Sequence, residues 1–188
     1  MGAVADPVSP TQARCGSQNP IHDHRKKAEM ALANASFQTP ADDIGAGILD
    51  GVITGLITLD PTENDEPTVL METDDPFSLK VDWQLSGPLV WVTGGTWEVA
   101  LYIDDIDGVG TTHGQLAAAT IPVNVVSNPQ PYSVRFDVPA NSVTPGVYQL
   151  VVTINHSPQG GPLGKLTEMV GFAESTPVKF TITSAESN

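Results

Sequence analysis

The stretch Phe77-Ser78-Leu79-Lys80-Val81-Asp82-Trp83-Gln84-Leu85-Ser86-Gly87 alternates apolar and polar residues without a break. Successive side chains of an extended chain point to opposite faces, so the pattern predicts a strand with one face buried and the other in water. Downstream, Trp97-Glu98-Val99-Ala100-Leu101-Tyr102-Ile103 repeats it and ends in the polar turn Asp104-Asp105-Ile106-Asp107-Gly108. Further strands are predicted over Leu116 to Val126, Tyr132 to Val138, Val147 to Asn155, Leu166 to Ala173 and Val178 to Thr183. Between them stand Gly94-Gly95, Asn128-Pro129, Pro145-Gly146 and Gly160-Gly161-Pro162, whose backbones favour turns and stop a ladder. The 17 glycines and 16 prolines of the 188-residue chain thus largely mark strand ends. Seven or eight strands at this spacing, with no alternation of strand and helix, predict an all-β fold, a single antiparallel β-sandwich.

Upstream, residues 44–59 (IGAGILDGVITGLITL) read two ways. Ile44, Ile48, Val52 and Leu56 recur every four residues, with Gly47, Gly51 and Gly55 in a second row, as on a closely packed helix. The glycine and β-branched content favours a strand, expected from about Val52 to Leu59. From Asp60 to Asp75 seven carboxylates follow with no basic residue among them, which reads as a solvated acidic linker. Pro88 to Gly95, around Trp91, is either another strand or an exposed anchor.

The segment Val138-Pro139-Ala140-Asn141-Ser142-Val143-Thr144-Pro145-Gly146-Val147-Tyr148-Gln149-Leu150 resembles the corner of immunoglobulin-like and fibronectin-type-III-like modules. The resemblance covers residues 67–184 and implies an Ig-like sandwich. It also implies that Tyr148 is the corner tyrosine, its hydroxyl bonded back to the loop's main chain, and that Trp83 or Trp97 is the central core tryptophan. Antibody-type domains carry cysteine two residues beyond this tyrosine, where this chain has Leu150. The function implied by the class is binding, adhesion or scaffolding.

Eight basic residues against 22 acidic ones give a net charge of −14, which repels phosphate backbones and anionic lipid surfaces. The charge is uneven. Residues 1–27 carry Arg14, Arg25, Lys26 and Lys27 against Asp6 and Asp23, a balance of +2, which leaves −16 for the body. The proline-rich polar start reads as a flexible arm, and His22 to Ala35, rich in helix formers, as a short helix within it. The expected organisation is an arm over 1–43, flexible or partly helical; an apolar segment and acidic linker over 44–66; the sandwich over 67–184; and a tail over 185–188. No secretory signal, lipid anchor or membrane span is read from the chain, and Cys15, the single cysteine, has no partner for an intrachain disulfide. Cytoplasmic synthesis is expected, with export inside an assembly as the other route.

Chemistry is thinly represented. His22 and His24 with Cys15 and Asp23 make a poor metal set, and Asp104, Asp105 and Asp107 before Gly108 form part of a calcium-loop pattern without its distant glutamate. His113 and His156 lie in loop-like surroundings with no serine motif for nucleophilic catalysis. Asn34-Ala35-Ser36 and Asn155-His156-Ser157 match glycosylation sequons by chance. Trp83 and Trp97 fall on apolar strand faces and belong to the core; Trp91 does not, and is the candidate interface anchor together with the arm cations Arg25, Lys26 and Lys27. The chain is expected to be a non-catalytic structural or adaptor protein without a cofactor, a subunit of an assembly whose partners are other protein subunits or itself. The alternative is a ligand-binding module, for calcium at the Asp104 turn or for carbohydrate at Trp91.

Overall fold

The alternation in Phe77–Ser86 puts Phe77, Leu79, Val81, Trp83 and Leu85 on one buried face, and Trp97, Val99, Leu101 and Ile103 form the matching face of a second strand. Two such faces can satisfy each other only by packing together, and they do so in two layers. The computed structural model describes residues 32–40, 47–159 and 168–182. Its strands are β1 (Asn34–Gln38), β2 (Asp50–Asp60), β3 (Glu66–Pro67), β4 (Leu70–Glu72), β5 (Phe77–Ser86), β6 (Gly95–Asp105), β7 (Gly114–Pro122), β8 (Gln130–Val138), β9 (Gly146–Pro158), β10 (Val170–Glu174) and β11 (Val178–Thr181). One sheet has the order β3-β2-β5-β8. In the other, β9 pairs with β6 along its length on one side, and on the opposite side with β11 through residues 146–148 and β10 through residues 151–155. β7 extends this sheet beyond β6, β1 beyond β10, and β4 beyond β11. The chain is an Ig-like β-sandwich, in which successive strands change layers from β5 to β6, β7 to β8 and β8 to β9.

Each of the eight predicted strands has its counterpart: β2 and β5 to β11. Three more appear where strands were not expected. β3 and β4 come from the acidic segment, so Asp60 to Asp75 is not a plain linker. β1 includes Asn34 and Ala35, the end of the predicted helix His22–Ala35, while residues 22–31 lie outside the described residues. β4 runs parallel to β11, an exception to the expected antiparallel pairing. The predicted strand Leu116–Val126 stops at Pro122, where the Val123 amide turns to Gly95 O at 2.9 Å, and Pro88–Val92 is a turn of 3-10 helix, not a strand.

The divided signal of residues 44–59 has its cause in a bulge. The register of β2 against β5 shifts between Ile53 and Gly55, and burial moves from odd positions (Ile53) to even ones (Leu56, Thr58). Because the buried parity switches there, β2 shows no unbroken two-residue period, and Val52 is exposed while Leu56 is buried. β10 and β11 are likewise one course interrupted at Ser175. Its buried Oγ accepts from the Leu150 amide at 3.1 Å and donates to Thr176 O at 2.7 Å, and its own amide donates to Leu150 O at 2.9 Å.

Between the layers, Trp83 and Trp97 meet edge to face at 5.8 Å between ring centroids, and Tyr132 stacks on Trp83 at 5.6 Å. The indole nitrogens of both tryptophans and the Tyr132 hydroxyl are buried without a hydrogen-bond partner. Such groups penalise the fold, whereas Ser175 supports it. Ser175→Ala is expected to lower stability in urea denaturation by about 1–3 kcal/mol, since it leaves the Leu150 amide buried and unpaired. Tyr132→Phe, which removes only an unpaired hydroxyl, is expected to leave the urea midpoint unchanged or raise it.

Candidate functional site

The strand registers separate two unlike ends. Asp50 opposite Ser86, Leu85 opposite Gln130 and Gly95 opposite Pro158 define one; Phe77 opposite Val138 and Asp105 opposite Tyr148 define the other.

At the first end, Gly87 has φ 103°, and a Cβ there would stand 2.5 Å from Ile48 O, so the close turn demands glycine. The Leu89 amide donates to Ile48 O at 3.1 Å, and Asn128 clamps Gly87 through both its amide and its carbonyl, at 3.2 and 3.1 Å. Gln130 Oε1 accepts from the amides of Val126 and Ser127 at 2.8 and 3.0 Å, next to the cis Asn128–Pro129 bond. Val90 anchors the 3-10 turn in the core, and Thr93 closes it with an Oγ1 bond to Val90 O at 2.7 Å. Trp91 and Val92 are left outside, 57% and 50% exposed, and Val126 on the clamped neighbouring loop is 72% exposed. Residues 47–49, 87–95 and 121–130 contain no charged side chain. A rigid frame therefore presents large apolar groups on loops that carry no charge themselves, with the exposed Asp50 and Glu168 at the same end of the sandwich, an apolar centre with a polar surround.

The second end is acidic. Asp60 caps the short 3-10 turn Pro61–Glu63 by accepting from the Thr62 amide at 2.8 Å. Arg135 grips Asp65 with two nitrogens, each at 2.8 Å, and holds Asp137 at 2.7 Å and Ser78 Oγ at 2.8 Å. The hydrogen bonds to Arg135 lower the Asp65 pKa; those from Ser78 and then Arg135 lower that of Asp137; and the two carboxylates raise that of the guanidinium. A groove of about 320 Å³ is lined by Asp60, Glu63, Leu70, Glu72 and Asp75 among others. Burial, then the charges of Asp74, Glu72 and Asp60, push the Asp75 carboxyl above its ordinary value.

The calcium expectation for Asp104, Asp105 and Asp107 meets a different geometry. Asp105 Oδ1 accepts from the amides of Asp107 and Gly108 at 3.2 and 3.1 Å, and Asp107 accepts from those of Val109 and Val147 at 3.0 and 2.9 Å. The two carboxylates organise their own turn, and the Val109 amide leads the causes that lower the Asp107 pKa. Among the described residues no group of three His, Cys, Asp or Glu is placed to hold a metal ion. Cys15, His22, Asp23 and His24, and the interface candidates Arg25, Lys26 and Lys27, lie outside the described residues.

Trp83, Trp97 and Tyr148 are fully buried core residues. The Tyr148 hydroxyl differs from the expected corner in its partner, meeting Thr144 Oγ1 at 2.7 Å where a main-chain group was expected. Gly110 leaves the space, since a Cβ there would stand 2.0 Å from the hydroxyl. His156, expected in a surface loop, is buried in β9, its Nε2 2.9 Å from Gly94 O and its ring 4.9 Å from that of Trp97. His113 is exposed in the loop between β6 and β7. The Arg135 cluster was missed because its members are 57 and 70 residues apart in sequence.

No family model matches the chain, and no curated protein is a detectable relative. Among solved structures, a CARDB domain from Pyrococcus furiosus, in complex with di-metal ions, is 12% identical over 72% of this chain and 96% of its own, with a TM-score of 0.39. A β-D-glucoside glucohydrolase from Trichoderma reesei is 13% identical over 75% of this chain and 21% of its own, with a TM-score of 0.41. A β-glucosidase from Erythrobacter marinus is 11% identical over 79% and 15%, with a TM-score of 0.38. The chain thus spans only a small fraction of these glucosidases, and likenesses this distant carry no activity across.

The pKa directions give two predictions of opposite sign. Asp75, raised in the folded state, opposes folding when ionised. Asp75→Asn is therefore expected to melt higher than the parent at pH 7, an advantage that shrinks with salt and as pH falls through the Asp75 pKa. Asp107, lowered in the folded state, supports folding above its unfolded value of roughly 3.9 and loses that support as pH falls through its folded value. Asp107→Asn is expected to melt lower at pH 7 and to converge on the parent in acid, as melting curves across pH would show.

Proposed function

We propose that the chain is a non-catalytic β-sandwich module that works by protein–protein contact, as a structural or adaptor subunit of a larger assembly made in the cytoplasm. The observation that carries this reading is Trp91, exposed with Val92 and Val126 on clamped loops that carry no charged side chain. A tryptophan held outside the core by a buried neighbour contributes little to folding. Its large area instead becomes available to a partner surface, where tryptophan is enriched among the residues that dominate affinity.

The acidic end supports the same reading. β6 is 11 residues long, so the two ends stand about 35 Å apart at about 3.3 Å per residue, several times the Debye length of about 8 Å at physiological salt. A partner at the apolar end therefore meets little of the acidic end's charge. Among the described residues no helix is long and apolar enough to cross a membrane.

Trp91→Ala combined with Val92→Ser tests the reading. Exposed substitutions of this kind move stability by about 0.5 kcal/mol or less. The melting temperature is therefore expected to hold while the native mass, or the set of co-purifying proteins at near-physiological salt, diminishes. An unchanged mass and partner list would remove the reading. A melt that shifts with oligosaccharide in the parent but not in the variant would favour the carbohydrate alternative at the same indole.

A further inference from the structure

β1 is seated like a bound peptide. It pairs with β10 from Asn34 opposite Glu174 to Gln38 opposite Val170, and four of its five residues are exposed. The fifth, Phe37, drops into a notch. A Cβ on Gly51 would lie 2.2 Å from the Phe37 ring, and one on Gly171 would lie 2.9 Å from it, so two glycines from different sheets are hollowed for this one side chain. Neither has the positive φ that would call for glycine by conformation. At the floor of the notch the Phe37 ring meets the Trp97 indole edge to face at 6.1 Å. The combination of a main-chain ladder, which any sequence can make, and one fitted pocket is the arrangement by which sheet edges take up extended segments.

We propose that the Gly51–Gly171 notch and the β10 edge form a strand-acceptor site whose second occupant is Asn34–Gln38 of another copy of this chain. The proposal rests on the protein-contact reading and names the partner. The notch is cut for Phe37, so the identical strand of another copy fits it as the chain's own strand does, and the charge of the arm assists either. Arg25, Lys26 and Lys27 precede Ala33 by at most eight residues, while the body carries −16, so a strand arriving from another copy brings positive charge to a negative surface. The Ala33 amide donates to Glu174 O at 3.1 Å, and Glu174 lies opposite Val151, so the strand enters on the half of the sheet nearer the acidic end. A strand attached by one ladder, the Phe37 anchor, the partly buried Leu32 before it and the Thr39 bond to Leu49 O after it also belongs to the low-stability part of a fold and can leave without unfolding β5, β6 or β9. Exchange of an identical element between protomers then creates an assembly without any new contact surface.

Two full-length variants read this directly. Phe37→Ala removes the anchor and leaves an open notch. Gly51→Val fills the notch and leaves an intact strand with nowhere to dock in its own chain. Neither alone can complete the site, but a mixture can, with the Gly51→Val strand entering the Phe37→Ala notch. The expected result is a 1:1 species of twice the monomer mass in the mixture and in neither variant alone. It should be abolished when the Gly51→Val chain also carries Phe37→Ala. No such species would overturn the proposal.

If either variant fails to fold, the parent chain still decides the matter by hydrogen exchange. Amides of β1 are expected to exchange at least about tenfold faster than those of β6 and β9, as local detachment requires. Exchange of β1 only at the rate of β6 and β9 would equally overturn the proposal. Because these readouts leave Trp91 untouched, their failure is distinct from a failure of the apolar-end contact.

Discussion

The edge-to-face contact of Trp83 with Trp97 is the point on which the rest of the sandwich depends. One indole belongs to each layer, and the contact fixes both the spacing of the sheets and the register at which their apolar faces meet. Around it Tyr132, His156 and Phe37 close the core at the expense of three buried polar groups left without partners. Two large indoles leave little room, so other elements must be thin where they pass: Gly51 and Gly171 are bare backbone beside Phe37. The docking of β1 is thus a consequence of how the centre is filled.

The ends follow from the middle. Once the strands are locked in register, the loops sort by charge. The β5–β6 and β7–β8 loops at the start of β6, residues 87–94 and 123–129, carry no ionic group, while those at its finish carry the carboxylates of the Asp60–Asp75 stretch and of the Asp105–Asp107 turn. At the charged end most groups are spent internally, on caps, turns and the Arg135 cluster. At the apolar end Trp91 is not spent at all. That contrast is why the apolar end, and not the more conspicuous acidic one, carries the proposed contact.

Period-two patterning made the main strands readable, since Phe77–Ser86 and Trp97–Ile103 show their buried face in every second residue. It failed where tertiary structure breaks the period. The bulge after Ile53 switches the buried parity of β2, and β1, β3 and β4 are too short and too exposed to carry a pattern of their own. Trp91 was legible as an odd apolar residue between strands. The Phe37 notch was not, because its two glycines are 120 positions apart and each is unremarkable alone. His156 was misjudged for a related reason: the breakers Pro158 and Gly160 that follow it resemble a loop, yet β9 runs on through Pro158.

The free edge of β7 has a consequence for how the protein behaves in concentrated solution. Gly-Gln-Leu-Ala-Ala-Ala-Thr-Ile-Pro, residues 114–122, pairs only with β6 among the described residues and contains no charged residue to discourage a second chain from adding to it. Protection of that edge therefore falls to the repulsion between whole molecules of charge −14. Colloidal stability becomes a property of the acidic surface as a whole, most exposed to failure where salt or acid cancels that charge.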